Sequence, residues 1–216
     1  GDGNKEVLKP SDFEDGGGYL IYLEHPYTVN GEYTVKVYST TKVTYLTLGE
    51  ITAVTDWGDP TNLQLQLSGK NLVEVPTTLH PSMTDLDYMF GGAINFNQDI
   101  SGWDVGKVTS MEAMFSSATS FNQPIGSWDV SNVVSFKSMF AGTDAFNQPI
   151  GSWNVAKVTD LSFMFQNATT FNQPIGSWDV STVINMEAMF EYAYSFNQDL
   201  SQWCVGLIVE EPFNFN

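Results

Sequence analysis

Arginine is absent from this chain of 216 residues, and lysine supplies all eight of its basic residues, against 25 acidic ones. The formal net charge is −17. A nucleic-acid-binding protein needs a basic patch, helped by arginine forks, to hold phosphates. An anionic lipid surface likewise attracts basic segments. The charge balance therefore argues against nucleic acid and against electrostatic docking onto a membrane.

Cysteine and long apolar runs are also scarce. Cys204 is the single cysteine, so the chain cannot form an internal disulfide. This is compatible with a reducing compartment, or with a secreted protein that is stabilised in another way. No apolar run approaches the roughly 18 residues that a membrane-spanning helix needs, so we expect no membrane insertion of this chain. The hydrophobic content of 42% nevertheless allows a real core.

What the chain has in abundance is an internal repeat of 25 residues. The triplet Phe-Asn-Gln, a tryptophan and the pair Met-Phe all recur with this step. A fixed period of this length is typical of proteins whose structural units stack on one another. The triplets begin at Phe96, Phe121, Phe146, Phe171 and Phe196.

One copy, residues 121–145, illustrates the fold that this pattern predicts. Residues 125–130, Ile-Gly-Ser-Trp-Asp-Val, carry the L-x-x-L-x-L spacing of a leucine-rich repeat, which predicts one short strand. Residues 133–140 then place Val, Phe, Met and Phe at spacings typical of a helical stripe. The predicted fold class is α/β: a leucine-rich-repeat-like right-handed solenoid, with short parallel strands on one face and helices on the other.

The chain is predicted to contain two domains. Residues 1–55 hold three runs rich in β-branched and aromatic residues, which predict strands over 19–23, 33–38 and 42–48. Asn30-Gly31 lies between the first two and is a strong hairpin signal. We therefore expect a small β-domain over 1–55 and the repeat solenoid over 56–216.

Two sets of equivalent residues are predicted to build the repeat core. Stacked tryptophans would fill a continuous apolar interior, and stacked asparagine amides would satisfy backbone groups left open at each turn. A ligand-binding role for the asparagines is the alternative. The tryptophans are Trp103, Trp128, Trp153, Trp178 and Trp203, and the asparagines are Asn97, Asn122, Asn147, Asn172 and Asn197.

A candidate recognition face follows from the residues that come directly after the tryptophans and the inward valines. These residues would point outward from the predicted sheet. Three interpretations stay open: a solvated acidic face, a polar surface that recognises a glycan or a protein, and a Ca²⁺ site bridging neighbouring carboxylates. The break in the acidic series at the third member weakens the last one, so no cofactor or metal site is expected. The face consists of Asp104, Asp129, Asn154, Asp179, Ser131 and Ser181.

The repeat resembles that of the BspA-like leucine-rich-repeat surface proteins. The shared motif is M-F-x5-F-N-Q-[PD]-[IL]-x2-W-[DN]-V, present for example over residues 139–155, and the resemblance covers roughly residues 56 to 209. Only the last copy departs from it, with Cys204 after its tryptophan. The resemblance implies exposure on a bacterial envelope or on the virion of a tailed phage, and it implies no defined enzyme activity.

A second resemblance concerns the residues before the repeats. Residues 25–35 look like the H-x-Y-x3-G-x-Y-x-V motif of a polycystic-kidney-disease-like β-domain, which often precedes such repeats in related chains. The W-G-D-G motif of that domain is only partly present, as Gly1-Asp2-Gly3. The resemblance therefore implies that residue 1 falls inside this domain and that its first strand is missing.

Catalysis finds little support in the sequence. His25 and His80 are the only imidazoles, neither lies in the repeat core, and no basic residue lies near Cys204 to lower its pKa. We expect a non-enzymatic, extracellular, cell-surface or virion recognition and adhesion module whose partner is a protein or a glycan. The alternative is a structural spacer, decoration or assembly component without a small ligand. A carbohydrate-active enzyme with paired carboxylates is a third, weaker hypothesis.

Overall fold

The structure is a computed structural model that describes residues 6–8, 20–24, 34–38, 43–47, 53–54, 63–67, 72–208 and 211–215. Its five strands all precede residue 67. They are β1 (Glu6–Leu8), β2 (Leu20–Glu24), β3 (Thr34–Tyr38), β4 (Val43–Thr47) and β5 (Leu63–Gln66).

The strands form two small sheets. The first has the order β1-β2-β3 with antiparallel pairing throughout, and Ile21 lies opposite Val37. The three strands predicted before residue 55 are confirmed as β2, β3 and β4, with ends shifted by one residue. The predicted Asn30-Gly31 turn lies outside the described residues.

The second sheet contains β4 and β5, which run parallel. A single parallel bridge between Ala53 and Glu74 follows, and the Leu67 N–H donates to the Met89 carbonyl at 2.6 Å. The pairing of β4 with β5 and the bridge between Ala53 and Glu74 join residues on both sides of position 55. The division into domains 1–55 and 56–216 stays a prediction.

The predicted α/β solenoid is wrong. Residues 72–208 and 211–215 contain no helix and no regular strand. The chain there runs as consecutive turns, and successive repeats are joined at one position by single-residue parallel β-bridges. The bridges follow the column Asp85, Ser110, Ser135, Asp160 and Asn185, inside the segments for which the pattern had predicted helices.

Consecutive β-turns explain why the apolar pattern looked helical. In the repeat 96–120, a backbone hydrogen bond from the fourth to the first residue closes five turns. Four of these turns have buried apolar residues at both ends. Apolar residues three positions apart are therefore the two ends of a turn, not neighbours on a helix face. These four turns span 100–103, 105–108, 111–114 and 115–118.

Left-handed residues prevent these segments from becoming helices. Ala113 has a φ of 50° and Ser117 a φ of 60°, whereas a right-handed helix needs negative φ at every residue. The N–H groups of Ala113 and Ser117 donate to the carbonyls of Lys137 and Ala141 in the next repeat, at 2.8 and 2.7 Å. Hydrogen bonds between repeats thus replace those that a helix would make within itself.

The repeats stack in register around one apolar core. We call each repeat a layer, beginning at its Phe-Asn-Gln triplet, and equivalent residues in successive layers a column. Phe115 stacks on two phenylalanines of the next layer, Phe121 at a centroid distance of 3.9 Å and Phe140 at 5.7 Å. This arrangement recurs along the stack, so the two phenylalanine columns form a continuous interior.

Candidate recognition surface

The acidic column predicted as a recognition face is exposed along one side of the stack. Its members are Asp104, Asp129, Asn154 and Asp179, and each accepts the backbone N–H of the residue two positions later at 3.1–3.2 Å. This is an Asx turn, in which an aspartate and an asparagine oxygen are equivalent acceptors. The column therefore lies on turns, not on the strands that the pattern predicted.

Serine hydroxyls strengthen two of these turns. The Ser181 hydroxyl donates to Asp179 Oδ1 at 2.6 Å, and it lowers the pKa of the Asp179 carboxyl because it stabilises the charged form. Ser131 lowers the pKa of Asp129 in the same way, with a smaller contribution from Lys157. The structure thus brings the two serines of the candidate face onto its aspartates, and both carboxyls stay ionised at neutral pH.

A metal site does not emerge from this face. Within the described residues, no group of three or more His, Cys, Asp or Glu lies close enough to hold a metal ion. Ca²⁺ prefers about six to eight oxygen ligands.

The tryptophan column lies against the core. Trp103, Trp128, Trp153 and Trp178 are buried, and Trp203 is half-buried. Each indole N–H donates to a backbone carbonyl of the preceding layer; that of Trp153 reaches the Ile125 carbonyl at 3.2 Å. The polar atom of each of the five tryptophans in the column is thereby satisfied.

The asparagine column forms a ladder between layers at the edge of the core. Asn147 Oδ1 accepts the backbone N–H of Asn172 and the side-chain Nε2 of Gln173, each at 2.9 Å. The same bonds recur at Asn97, Asn122 and Asn172, while Asn197 belongs to the last layer. The ladder is half-buried or exposed, and its oxygens hold backbone N–H groups.

The histidines and the cysteine considered for catalysis do not form a common site within the described residues. His80 Nδ1 lies 2.8 Å from the Ser82 hydroxyl, inside a turn that the Met83 N–H closes onto the His80 carbonyl. His25 lies outside the described residues. Cys204 is exposed.

Sequence reasoning missed a half-buried carboxylate near the start of the stack. Asp87 Oδ1 accepts the Ser110 hydroxyl at 2.5 Å and the Glu112 N–H at 2.7 Å. Burial raises the pKa of the Asp87 carboxyl, and the charge of neighbouring Asp85 raises it further, although these two hydrogen bonds oppose the shift. Its spacing of 25 residues from Glu112 was the signal that could have placed it between layers.

The structure also brings two exposed tyrosines together. Tyr192 and Tyr194 are both exposed, with ring centroids 6.1 Å apart. In the repeats over residues 96–170 their columns hold small or polar residues, among them Gly142 and Thr169, while Ile94 stands at the start of the Tyr194 column. That contrast within two columns was the available signal.

No part of the chain that the structure describes forms a helix that is long and apolar enough to span a membrane.

Comparison with known proteins identifies the repeat region. No curated protein and no solved structure matches the chain significantly. Residues 75–168 and 125–211 both match one family, and together they cover more than half of the chain. The resemblance to a known repeat family is thereby confirmed at the level of the repeat, whereas neither a leucine-rich-repeat fold nor a polycystic-kidney-disease-like domain is supported. The chain belongs to the family described as "Mycoplasma protein of unknown function, DUF285".

Proposed function

We propose that this protein is a non-enzymatic recognition and adhesion module exposed on a cell or virion surface. The observation that carries the proposal is the contrast between inward and outward columns. Several inward columns, such as the tryptophans and the Met-Phe pairs, repeat the same residue in layer after layer, whereas several outward columns change. One example is the outward column Thr119, Asp144, Thr169 and Tyr194.

The stack supports this role because it holds outward side chains on a well-ordered framework. Four backbone N–H groups of one layer, at residues 136, 138, 140 and 142, donate to carbonyls of the next layer at 2.7–3.0 Å. Binding residues are most effective when a rigid scaffold positions them. Variable outward residues on such a framework can diverge without loss of the core.

The acidic column is one part of the proposed surface. Asp104, Asp129 and Asp179 present exposed carboxylates, while Ser131 and Ser181 add hydroxyls beside them. The partner that we propose is a glycan or a protein at a cell or virion surface. The net charge of −17 disfavours nucleic acid, and the module needs no cofactor.

The proposal also includes the cellular location and the preceding β-domain that the resemblance implies. We expect an extracellular location, because the BspA-like repeat proteins are surface proteins. We also propose a small β-domain before the repeats, of the polycystic-kidney-disease-like kind that the sequence motif suggested, and the antiparallel pairing of β2 with β3 is compatible with it.

A binding assay on whole cells and on purified envelope polysaccharides tests the proposal, with Ca²⁺ and with chelator. Saturable binding by the chain is the expected result. The double variant Asp129→Asn, Asp179→Asn keeps the turn acceptor, as Asn154 does, but removes both charges. Weaker binding by this variant would assign recognition to the acidic column. Absence of binding to every surface would contradict a recognition function.

A structural or assembly role is the second candidate, because the last layer exposes apolar side chains. Val205 and Leu207 are 41% and 54% exposed. Stacking against another protein would bury them. Light scattering across a concentration series tests this role: self-association that Leu207→Ser abolishes would favour it, and a monomer at all concentrations would count against self-assembly.

A further inference from the structure

Tyr192 and Tyr194 are the observation that goes furthest beyond the repeat pattern. They are 52% and 80% exposed, their ring centroids lie 6.1 Å apart, and the ring planes are inclined at 52°. Large apolar rings that contribute little to a core expose surface that water solvates poorly. Packing within the described residues therefore does not account for the two rings.

The backbone at Tyr192 makes the choice of residue more informative. Its φ is 60°, in the left-handed region that bulky side chains rarely occupy. The same column holds residues suited to this conformation, namely Gly92, Ser117, Gly142 and Asn167, all with positive φ. A tyrosine here costs backbone strain and adds little burial. Tyr88 and Phe163 share this conformation, so the strain alone assigns no function, and the pairing of Tyr192 with Tyr194 carries the argument.

The two rings are held by a fixed turn. Buried Ala193 lies between them in the sequence, and its N–H donates to the Phe190 carbonyl at 2.9 Å. The layer below fixes both sides: the Asn167 N–H donates to the Glu191 carbonyl at 2.8 Å, and the Ser195 hydroxyl donates to the Thr169 carbonyl at 2.6 Å. The pair is thus preorganised on the side of the stack, and little order has to be gained on binding.

The surroundings indicate the chemistry of the partner. Next to the rings in the same columns are exposed Asn167 and the half-buried Thr169, and Asp144 lies one layer further. A protein hot spot usually lies in a well-packed pocket from which water is excluded, which these exposed rings and their small, polar neighbours do not offer. A sugar fits better, because its C–H faces stack on aromatic rings while its hydroxyls pair with amides and carboxylates.

The acidic surroundings of the two tyrosines favour a neutral glycan over a polyanionic one. Glu191 precedes Tyr192, and its carboxylate oxygens accept the side-chain amides of Gln166 and Asn214. Asp144 adds a second carboxylate, and the whole chain carries a net charge of −17. The negative charge of the protein would repel a polyanionic glycan. A neutral glycan would not be repelled.

We propose that Tyr192 and Tyr194 form an aromatic platform that binds a neutral polysaccharide, with the Asn167 amide hydrogen-bonding to its hydroxyls. The inference rests on the proposed recognition function and names its ligand class. It places glycan binding on the tyrosine side of the last complete layer rather than on the acidic column.

Affinity electrophoresis of the full chain in gels containing dextran, laminarin or galactomannan tests the platform, with heparin as the polyanion. The double variant Tyr192→Gly, Tyr194→Thr installs residue types that the same columns already carry, so it is expected to fold. Tyr88→Gly is the matched control, because Tyr88 is an exposed tyrosine with a φ of 58° in another layer. Thermal melting of each variant verifies folding.

The expected result is retardation by a neutral polysaccharide, with a dissociation constant raised at least about tenfold in the double variant and unchanged in Tyr88→Gly. Equal retardation of the double variant would overturn the platform, as would retardation by heparin alone. Retardation by none of these polysaccharides, with cell binding retained, would also overturn it and would indicate a protein partner while the recognition function stands. Loss of cell binding as well would reject both proposals.

Discussion

The interior layers and the last layer contain nearly the same residues but bury them very differently. Val105, Val130, Val155 and Val180 are each 1% exposed, whereas Val205 in the same column is 41% exposed. Trp203 and Phe196 are half-buried where their interior equivalents are buried. A residue of this repeat is therefore buried by the layer that follows it, as expected when stability comes from contacts between neighbouring repeats.

The tryptophan column offers the strongest test of this comparison. Trp153→Ala should destabilise the protein by about 3–5 kcal/mol, because it empties a packed interior position and leaves the Ile125 carbonyl without its indole donor. Trp203→Ala should cost only about 1–2 kcal/mol, because its side chain is already partly in water. Urea unfolding measures both, and equal losses would refute the neighbour-burial explanation.

Glycine substitutions test how closely the backbones of neighbouring layers approach each other. A Cβ added to Gly151 would lie 2.3 Å from the Pro174 carbonyl oxygen of the next layer, so Gly151→Ala must push the layers apart. We expect a loss of about 1–3 kcal/mol. An added Cβ at Gly102 would meet nothing within 4 Å, and Gly102→Ala should change stability by less than about 0.5 kcal/mol. Similar melting temperatures for the two variants would contradict the close approach of layers.

Asp87 lies near the other end of the stack, and its ionisation makes the stability there dependent on pH. Because burial raises its pKa, the ionised form of Asp87 disfavours the folded state, and this unfavourable contribution is lost as pH falls through that pKa. Asp87→Asn keeps an acceptor for both hydrogen bonds and removes the charge. It should be more stable than wild type at pH 7 by less than about 1 kcal/mol, since Asp87 is only half-buried.

Chemical denaturation of both proteins between pH 7 and pH 3 measures this difference. The advantage of Asp87→Asn should shrink as pH falls toward the ordinary aspartate value of 3.8. A difference that stays constant over this range would show that the charge of Asp87 is not responsible.

The sequence pattern was reliable for periodicity and unreliable for backbone conformation. Strands β2 and β3 were predicted to within one residue because β-branched and aromatic residues alternate there. The helices were wrong because apolar residues three positions apart fit a helix and a chain of β-turns equally well. The bulky residues at left-handed positions, such as Phe163 with a φ of 59°, gave no warning, since propensity alone would place them elsewhere.

The candidate surface was likewise predicted in part from the sequence. The outward position of Asp129 and Asp179 was predicted from their place beside the tryptophans, and it holds although the predicted strand does not form. Their Asx turns could not be foreseen from a pattern that had been interpreted as a strand. Tyr194 went unnoticed because a single exposed aromatic is unremarkable until its column shows that every earlier layer does without one.

The 25-residue period, the apolar columns and the acidity follow from the residues alone, because they are properties of composition and spacing. The conformation of each layer required the folded chain. The N–H of Ala113 finds its partner on Lys137, 24 residues away, and not on a residue of its own turn. Hydrogen bonds and burial in this protein are formed between layers, and contacts at that separation are invisible to local propensity.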